Sequence, residues 1–302
     1  GLGGRHDEIL LWQAVNHAGG GLLGLDCDLV QVFAPRAQED STGLLRMAAF
    51  NKDYFDNQFK NGGDGNRYKL ELIYYPTTTS TGDAQAPKLP QPDDVIDSEF
   101  KDWGDDKENY RWIFRQDNNP DQDDYSRLIA MNKALSLSGA ALEAQTEAVM
   151  DTDEYLRTLA FVALVGAADI FTYGLNHNWK LYIRPEDNKV LGLLWDMDYN
   201  FVQGVNYGFP GGGSSSTYRF TMLPNNYRRY YNHLLDLTTT SVNSAYLNRW
   251  ATHYAGLLGQ NWSGAVNYLQ QRANYVRSLM PLSTAFAITS NSGKNFGTTN
   301  ST

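Results

Sequence analysis

The sequence predicts an α+β fold in which a small antiparallel sheet joins a mainly helical half. Three observations predict it. A hairpin pattern spans residues 179–195 and is flanked by helical stretches. Short strand-like runs with turn-rich connections fall between residues 29 and 75. Beyond residue 226 the apolar positions recur at helical spacing.

Residues 7–18 read as a helix, with Ile9, Leu10, Leu11, Ala14 and Val15 on one side, and Gly19, Gly20 and Gly21 end it. Residues 29–33 and 44–50 are strand candidates, and the polar connection at 35–42 favours an antiparallel pair. Residues 69–75 alternate enough to be a further strand. Residues 76–124 are rich in Pro, Thr, Asp and Gly and turn acidic toward their end. So long a stretch without structure is unusual in a compact domain. It is expected to be a solvated insertion, with a lid or docking arm as the functional alternative. Trp103, Tyr110, Trp112 and Phe114 imply that part of it packs.

Helices are expected at residues 126–137 and 151–165. Asp151 is the N-cap of the second, and Glu154, three residues on, gives a capping-box-like start. Gly166, Ala167 and Ala168 loosen its end and deliver Asp169. Residues 179–183 form a strand, 185–188 a turn, and 190–195 a short apolar strand. Residues 204–217 contain three glycines and then three serines, as a flexible loop would. Residues 228–237, 244–258 and 265–280 read as closing helices, and Pro281 stops the last. Tyr227, Tyr230 and Tyr231 fall at helical spacing, which favours packing over a carbohydrate platform. Residues 287–302 carry no core-forming pattern.

At 302 residues the chain can bury a substantial core, as one large domain or two lobes. Its net charge of −9 disfavours a nucleic-acid partner, which would want a basic stripe. It leaves a nucleotide substrate open, because a metal can carry the phosphate charge. No run approaches the length of a membrane span. No signal peptide is visible, and an opening without Met fits a processed or truncated end. The single cysteine, Cys27, allows neither an intrachain disulfide nor a multi-thiolate metal site, and reads as a small hydrophobe. No His pair has the spacing of a zinc hydrolase, and neither a nucleophile elbow nor a Walker loop is present.

The chemistry concentrates at the hairpin. Asn178 precedes its first strand and Asp196 follows its second, so both side chains come to one end. A carboxylate and an amide oxygen suit a hard cation such as Mg²⁺ (Mn²⁺ or Ca²⁺ as variants), with phosphates supplying further ligands. Asp169, on the loop upstream, can act as a base toward an attacking hydroxyl or can cap a neighbouring turn. Asp198 is a second metal ligand or a salt-bridge partner, and Asn176 a third ligand or a turn residue. His177 is expected to fix the loop by a hydrogen bond. Lys69 can approach nucleotide phosphates or stand as a solvated strand residue.

This segment resembles the core of the spore-coat CotH family of atypical protein kinases. The likeness rests on Asp169, on His177-Asn178-Trp179-Lys180-Leu181-Tyr182, and on Trp195-Asp196. It extends to residues 41–69 with their D-G-N-R-Y-K turn, to residues 125–137, and to residues 226–281. The resemblance implies a protein-kinase-like fold, with a small antiparallel N-lobe sheet and a mainly helical C-lobe. It implies Asp169 as catalytic base, Asn178 and Asp196 as metal ligands, ATP as co-substrate and a protein hydroxyl as acceptor. Residues 204–217 would lie where an activation-type loop lies.

The implied organisation is a partial N-lobe at 1–75, the insertion at 76–124, a C-lobe at 125–285, and a tail or the start of a following domain at 286–302. The opening resembles the helix after the family's phosphate-covering strands, and Gly43 to Ala49 lacks an acid that relatives carry there. By the resemblance at Asp169, Asn178 and Asp196 the expected function is metal-dependent phosphoryl transfer to protein Ser or Thr. The alternative is a weakly active or inactive structural or adhesive module of a secreted or cell-surface bacterial protein, with a surface-assembly partner. A third option is a calcium-stabilised binding module using the same acids.

Overall fold

The computed structural model describes residues 6–31, 33, 43–70, 99–111, 113–174, 177–210 and 215–280. The α+β class is as expected. Ten α-helices and six strands occur among the described residues. Helix α1 spans Ile9–Ala18 after a 3₁₀ turn at His6–Glu8, and Gly19 ends it at φ 54°. Strands β1 (Cys27–Val30) and β2 (Leu44–Met47) pair antiparallel as a two-stranded sheet. They are shorter than the sequence pattern implied, and most of the connection between them lies outside the described residues.

Helix α2 (Lys52–Gln58) is capped by Asn51, which accepts from the Tyr54 amide. The second sheet has four strands in the order β4 (Phe114–Gln116), β3 (Arg67–Leu70), β5 (Trp179–Arg184), β6 (Lys189–Leu194), all antiparallel. The strand expected at 69–75 thus begins earlier, and residues 71–98 lie outside the described ones. The later part of the acidic segment is built into the molecule. Helix α3 (Glu108–Arg111) leads into β4, which forms an edge of this sheet. Tyr110 and Phe114 are buried, whereas Trp112 lies outside the described residues.

Helices α4 (Ser126–Leu135), α5 (Gly139–Val149) and α6 (Thr152–Val165) follow. The sequence reading did not anticipate α5, whose run GAALEAQTEAV opens on a glycine at φ 56° and has a weak apolar stripe. Helix α6 is buried along its length except at Asp153, and Gly192 lets it pack closely on the sheet. A Cβ at Gly192 would meet the Trp179 ring at 2.6 Å and the Tyr155 ring at 3.0 Å. Asp151 caps α6 as expected, accepting from the Glu154 amide at 3.3 Å. Glu154 does not close a capping box. Its carboxyl turns inward, accepting from the Gly192 amide and the Thr158 hydroxyl, each at 2.9 Å. Burial raises that carboxyl well above the usual range.

Side chains alternate across the four-stranded sheet. One face carries Tyr68, Leu70, Phe114, Trp179, Leu181 and Leu194, all buried. The other carries Arg67, Lys69, Arg115, Lys180 and Tyr182, and the Tyr182 ring stacks on Phe55 of α2 at 3.9 Å. Helix α7 (Ser215–Thr221) occupies the end of the stretch expected to be a loop. Helices α8 (Pro224–Thr240), α9 (Ser244–Leu257) and α10 (Ser263–Ser278) close the fold. Tyr230 is fully buried beside Tyr231, so the tyrosine cluster packs. Residues 281–302 lie outside the described ones.

Two buried arginines tie these elements together. Arg157 of α6 donates to the carbonyls of Ala18 and Gly19 at the end of α1 and to Asp236 of α8. Arg272 of α10 donates to the carbonyls of Ala163, Val205 and Tyr207, with its guanidinium 3.5 Å from the Tyr207 ring centre. No described helix is long and apolar enough to cross a membrane.

Candidate active site at the open end of the hairpin

Helix α6 ends at Gly166, whose φ of 65° turns the chain out of the helix. The Ala168 amide donates to the Tyr199 carbonyl at 3.1 Å, which fixes the following residue beside the segment after β6. That residue is Asp169, half-exposed. A 3₁₀ turn at Phe171–Tyr173 returns the chain, and the Phe171 amide donates to the His177 carbonyl at 3.2 Å. Asn176 lies outside the described residues.

Asn178 is 1 % exposed and sits at φ 54°, a left-handed conformation that asparagine tolerates better than most residues. Its Nδ2 donates to the Asp169 carbonyl at 2.7 Å and to Asp169 Oδ2 at 3.2 Å. Both partners only accept, so the amide orientation is fixed and Oδ1 faces the other way. That oxygen is buried and has no hydrogen-bond partner among the described residues. His177 Nε2 lies 3.7 Å from Asp169 Oδ2.

The register places Trp179 opposite Leu194, so Asn178 enters the hairpin where Asp196 leaves it. Asp196 is also left-handed, at φ 53°. Its carboxyl is held above the usual range, first by burial and then by the Asp198 charge, against the opposing charges of Lys69 and His177. Asp198 lies one residue into the 3₁₀ turn Met197–Tyr199 and is half-buried. Lys69, in the middle of β3 and directly opposite Lys180, reaches Asp196 with its field from the polar sheet face. The structure therefore gathers Asp169, Asn178, Asp196 and Asp198 at one end of the hairpin, with Lys69 on the adjoining face.

Two groups of residues escaped the sequence reading. Glu8, buried just before α1, accepts from Trp12 Nε1 at 3.0 Å and from the Met197 amide at 3.3 Å. Burial, then the charges of Asp198 and Asp196, lift its carboxyl to about 7, despite the opposing bond from Trp12. Trp12 four residues along a helix is a local clue, but the link to Met197 crosses 189 positions. The second group is Lys180, Asp117 and Arg67. Lys180 Nζ donates to Asp117 Oδ2 at 2.5 Å, and Arg67 Nε donates to the same oxygen at 2.9 Å. A lysine inside an otherwise apolar strand was the available signal.

The donor set suits a hard cation. Asn178 presents an orphaned amide oxygen, and Asp196 a carboxylate whose charge nearby acids destabilise. Among the described residues no three His, Cys, Asp or Glu side chains are grouped to hold a metal by themselves. A sparse protein donor set leaves room for the phosphates and waters that Mg²⁺ keeps as ligands.

Comparison with known proteins matches the chain to one family model, CotH kinase protein, over residues 45–279. No curated protein matches the chain.

Proposed function

Because the chain belongs to the CotH kinase protein family, a kinase-like family, we propose that it transfers phosphate from ATP to protein Ser or Thr hydroxyls with Mg²⁺ or a similar divalent cation. One observation carries the reading. Asn178 buries an amide oxygen that has no hydrogen-bond partner among the described residues, at the hairpin end where Asp196 emerges. Leaving a buried acceptor unpaired costs on the order of 1–3 kcal/mol, and a cation at that position would offset the cost.

In this reading Asn178 Oδ1 and Asp196 hold the cation, and Asp198 adds charge beside them. A bound cation would neutralise the phosphates as charge develops on the leaving group. Asp169 faces the acceptor hydroxyl. The Asn178 amide grips both its carbonyl and its carboxylate, which restricts the base to one orientation. As the acceptor oxygen bonds to phosphorus, the bond to the nucleoside diphosphate breaks and the hydroxyl proton passes to Asp169. Lys69 supplies positive charge toward the phosphates from β3. A secreted or cell-surface setting with a protein acceptor belongs to the same proposal.

The test uses labelled ATP, Mg²⁺ or Mn²⁺ and a generic protein acceptor. Transfer is expected, and Asp169→Ala should lower it by roughly 10²–10⁴-fold, the scale for a general base. Asp196→Ala should remove metal-dependent nucleotide binding. Full activity in either variant would reject the assignment. A folded chain that neither binds nucleotide nor transfers phosphate would leave the structural or adhesive module as the better reading.

A further inference from the structure

The loop after β6 begins with a conformation that is costly to maintain. Asp196 is a non-glycine residue at φ 53°, where the side chain crowds its own backbone. It is also half-buried beside Asp198 and near Glu8, so its charge is repelled from two directions. Such a residue stays in place only if its neighbours hold it. On its C-terminal side the holder is Glu8, which accepts from the Met197 amide.

On its N-terminal side is Trp195, partly buried against the core. The Lys180 ammonium stands 3.8 Å from the centre of the Trp195 ring. Lys180 is 6 % exposed, unusual for a lysine. Burial, with the charges of Arg67 and Lys69, pulls its ammonium below the usual lysine range, and the Asp117 carboxylate opposes this. Asp117 is held in turn by two bonds from Arg67, Nε to its carboxylate and Nη2 at 3.2 Å to its carbonyl. A continuous line of contacts therefore runs from Arg67 on β3, through Asp117 beyond β4 and Lys180 on β5, to Trp195 at the end of β6. It crosses all four strands of the sheet and ends on the residue next to Asp196.

An ammonium inside a fold needs a partner. One carboxylate would suffice for that, and Arg67 already shares it. The additional stacking on Trp195 fixes where the indole lies, and the indole fixes the backbone leading into Asp196. We propose that Lys180 is a positioning residue for Asp196, acting through Trp195, and that Asp117 and Arg67 hold it in that role. The inference rests on the reading of Asp196 as the cation-holding carboxylate only for its functional consequence. The positioning itself is a property of the ligand-free chain.

Two variants test it. Lys180→Met removes the charge but leaves Asp117 paired with Arg67. Asp117→Asn keeps the lysine and removes its anchor. Lys180→Arg is the conservative control. The first readout is amide exchange in the ligand-free chain. Protection of the Met197 amide should fall on the order of tenfold in Lys180→Met and Asp117→Asn, with the middle of β5 and β6 unchanged. Lys180→Arg should retain most of it. The second readout is the Mn²⁺ concentration that half-saturates nucleotide binding. It should rise roughly 10–100-fold in both variants, the scale for groups that orient a metal ligand.

Unchanged Met197 protection in both folded variants would overturn the inference. So would a loss spread evenly over the hairpin, which marks a merely structural lysine. If the parent chain binds no Mn²⁺-nucleotide at all, the phosphoryl-transfer reading fails, and the exchange data still decide the role of Lys180.

Discussion

Replacing Glu8 with Gln should stabilise the cation-free chain at neutral and alkaline pH and leave its stability in acid unchanged. Burial, reinforced by the charges of Asp198 and Asp196, lifts the Glu8 carboxyl from 4.5 to about 7. The bonds from Trp12 and Met197 both end on Oε1. Gln can present its carbonyl oxygen to both donors, with its amide nitrogen where Oε2 lies, so the variant copies the neutral acid. A raised pKa means that the native state binds the proton more tightly than the unfolded chain does. The resulting stability is complete below 4.5, declines as pH rises to about 7, and stays lost above that. An interval of about 2.5 units at about 1.4 kcal/mol per unit makes the loss roughly 3 kcal/mol. Urea denaturation of parent and Glu8→Gln chains with a chelator, between about pH 4 and 8, measures it, and subtraction cancels the titrating groups that do not interact with Glu8. The variant should match the parent near the acid end and gain steadily to a plateau above neutrality. A pH-independent difference would refute the argument, as would a variant less stable than its parent at the alkaline end.

Two further outcomes follow from close contacts. Glu154→Leu keeps the bulk but leaves the Gly192 amide without its acceptor, and should cost about 1–3 kcal/mol in denaturation. No loss would mean that the amide finds another partner. Gly166→Ala should cost at least about 2 kcal/mol, since φ is 65° and the new Cβ would lie 1.9 Å from the Tyr268 hydroxyl. Repeating that change in a Tyr268→Leu background should retain only the backbone share, about 1–2 kcal/mol, and an undiminished cost would show that the ring was not the obstacle.

How much was legible in the sequence depended on how local the determining physics is. The β5–β6 hairpin was legible because residues 185–188 have turn chemistry and the flanking runs are apolar. Its two ends then located Asn178 and Asp196 without further information. The Asp151 cap was legible for the same reason. Glu154 was not, because the choice between closing a capping box and turning inward is decided by Gly192, which lies 38 positions away in sequence. Glu8 and Lys180 illustrate the same limit. Their partners, Met197 and Asp117, are set by how strands and helices dock, and no local pattern encodes that. Strand β4 was hidden inside an acidic segment whose composition suggested solvent, although Tyr110 and Phe114 are buried.

Arg272 bears on how this molecule comes apart. Its guanidinium is buried and spends its bonds on carbonyls, two of them from the stretch just past the site, at Val205 and Tyr207. Tyr268, one turn earlier on α10, donates to the Gln203 carbonyl at 2.8 Å. The stretch from 203 to 207 is thus fastened to the last described helix as well as to α6, where the Tyr207 hydroxyl donates to the Ala163 carbonyl at 2.7 Å. Lifting it alone would strand a positive charge in an aromatic pocket. Opening therefore involves the two together: protease cuts in this stretch and exchange along α10 should begin under the same conditions, and a fragment lacking α10 should lose its grip on the chain that leaves Asp198.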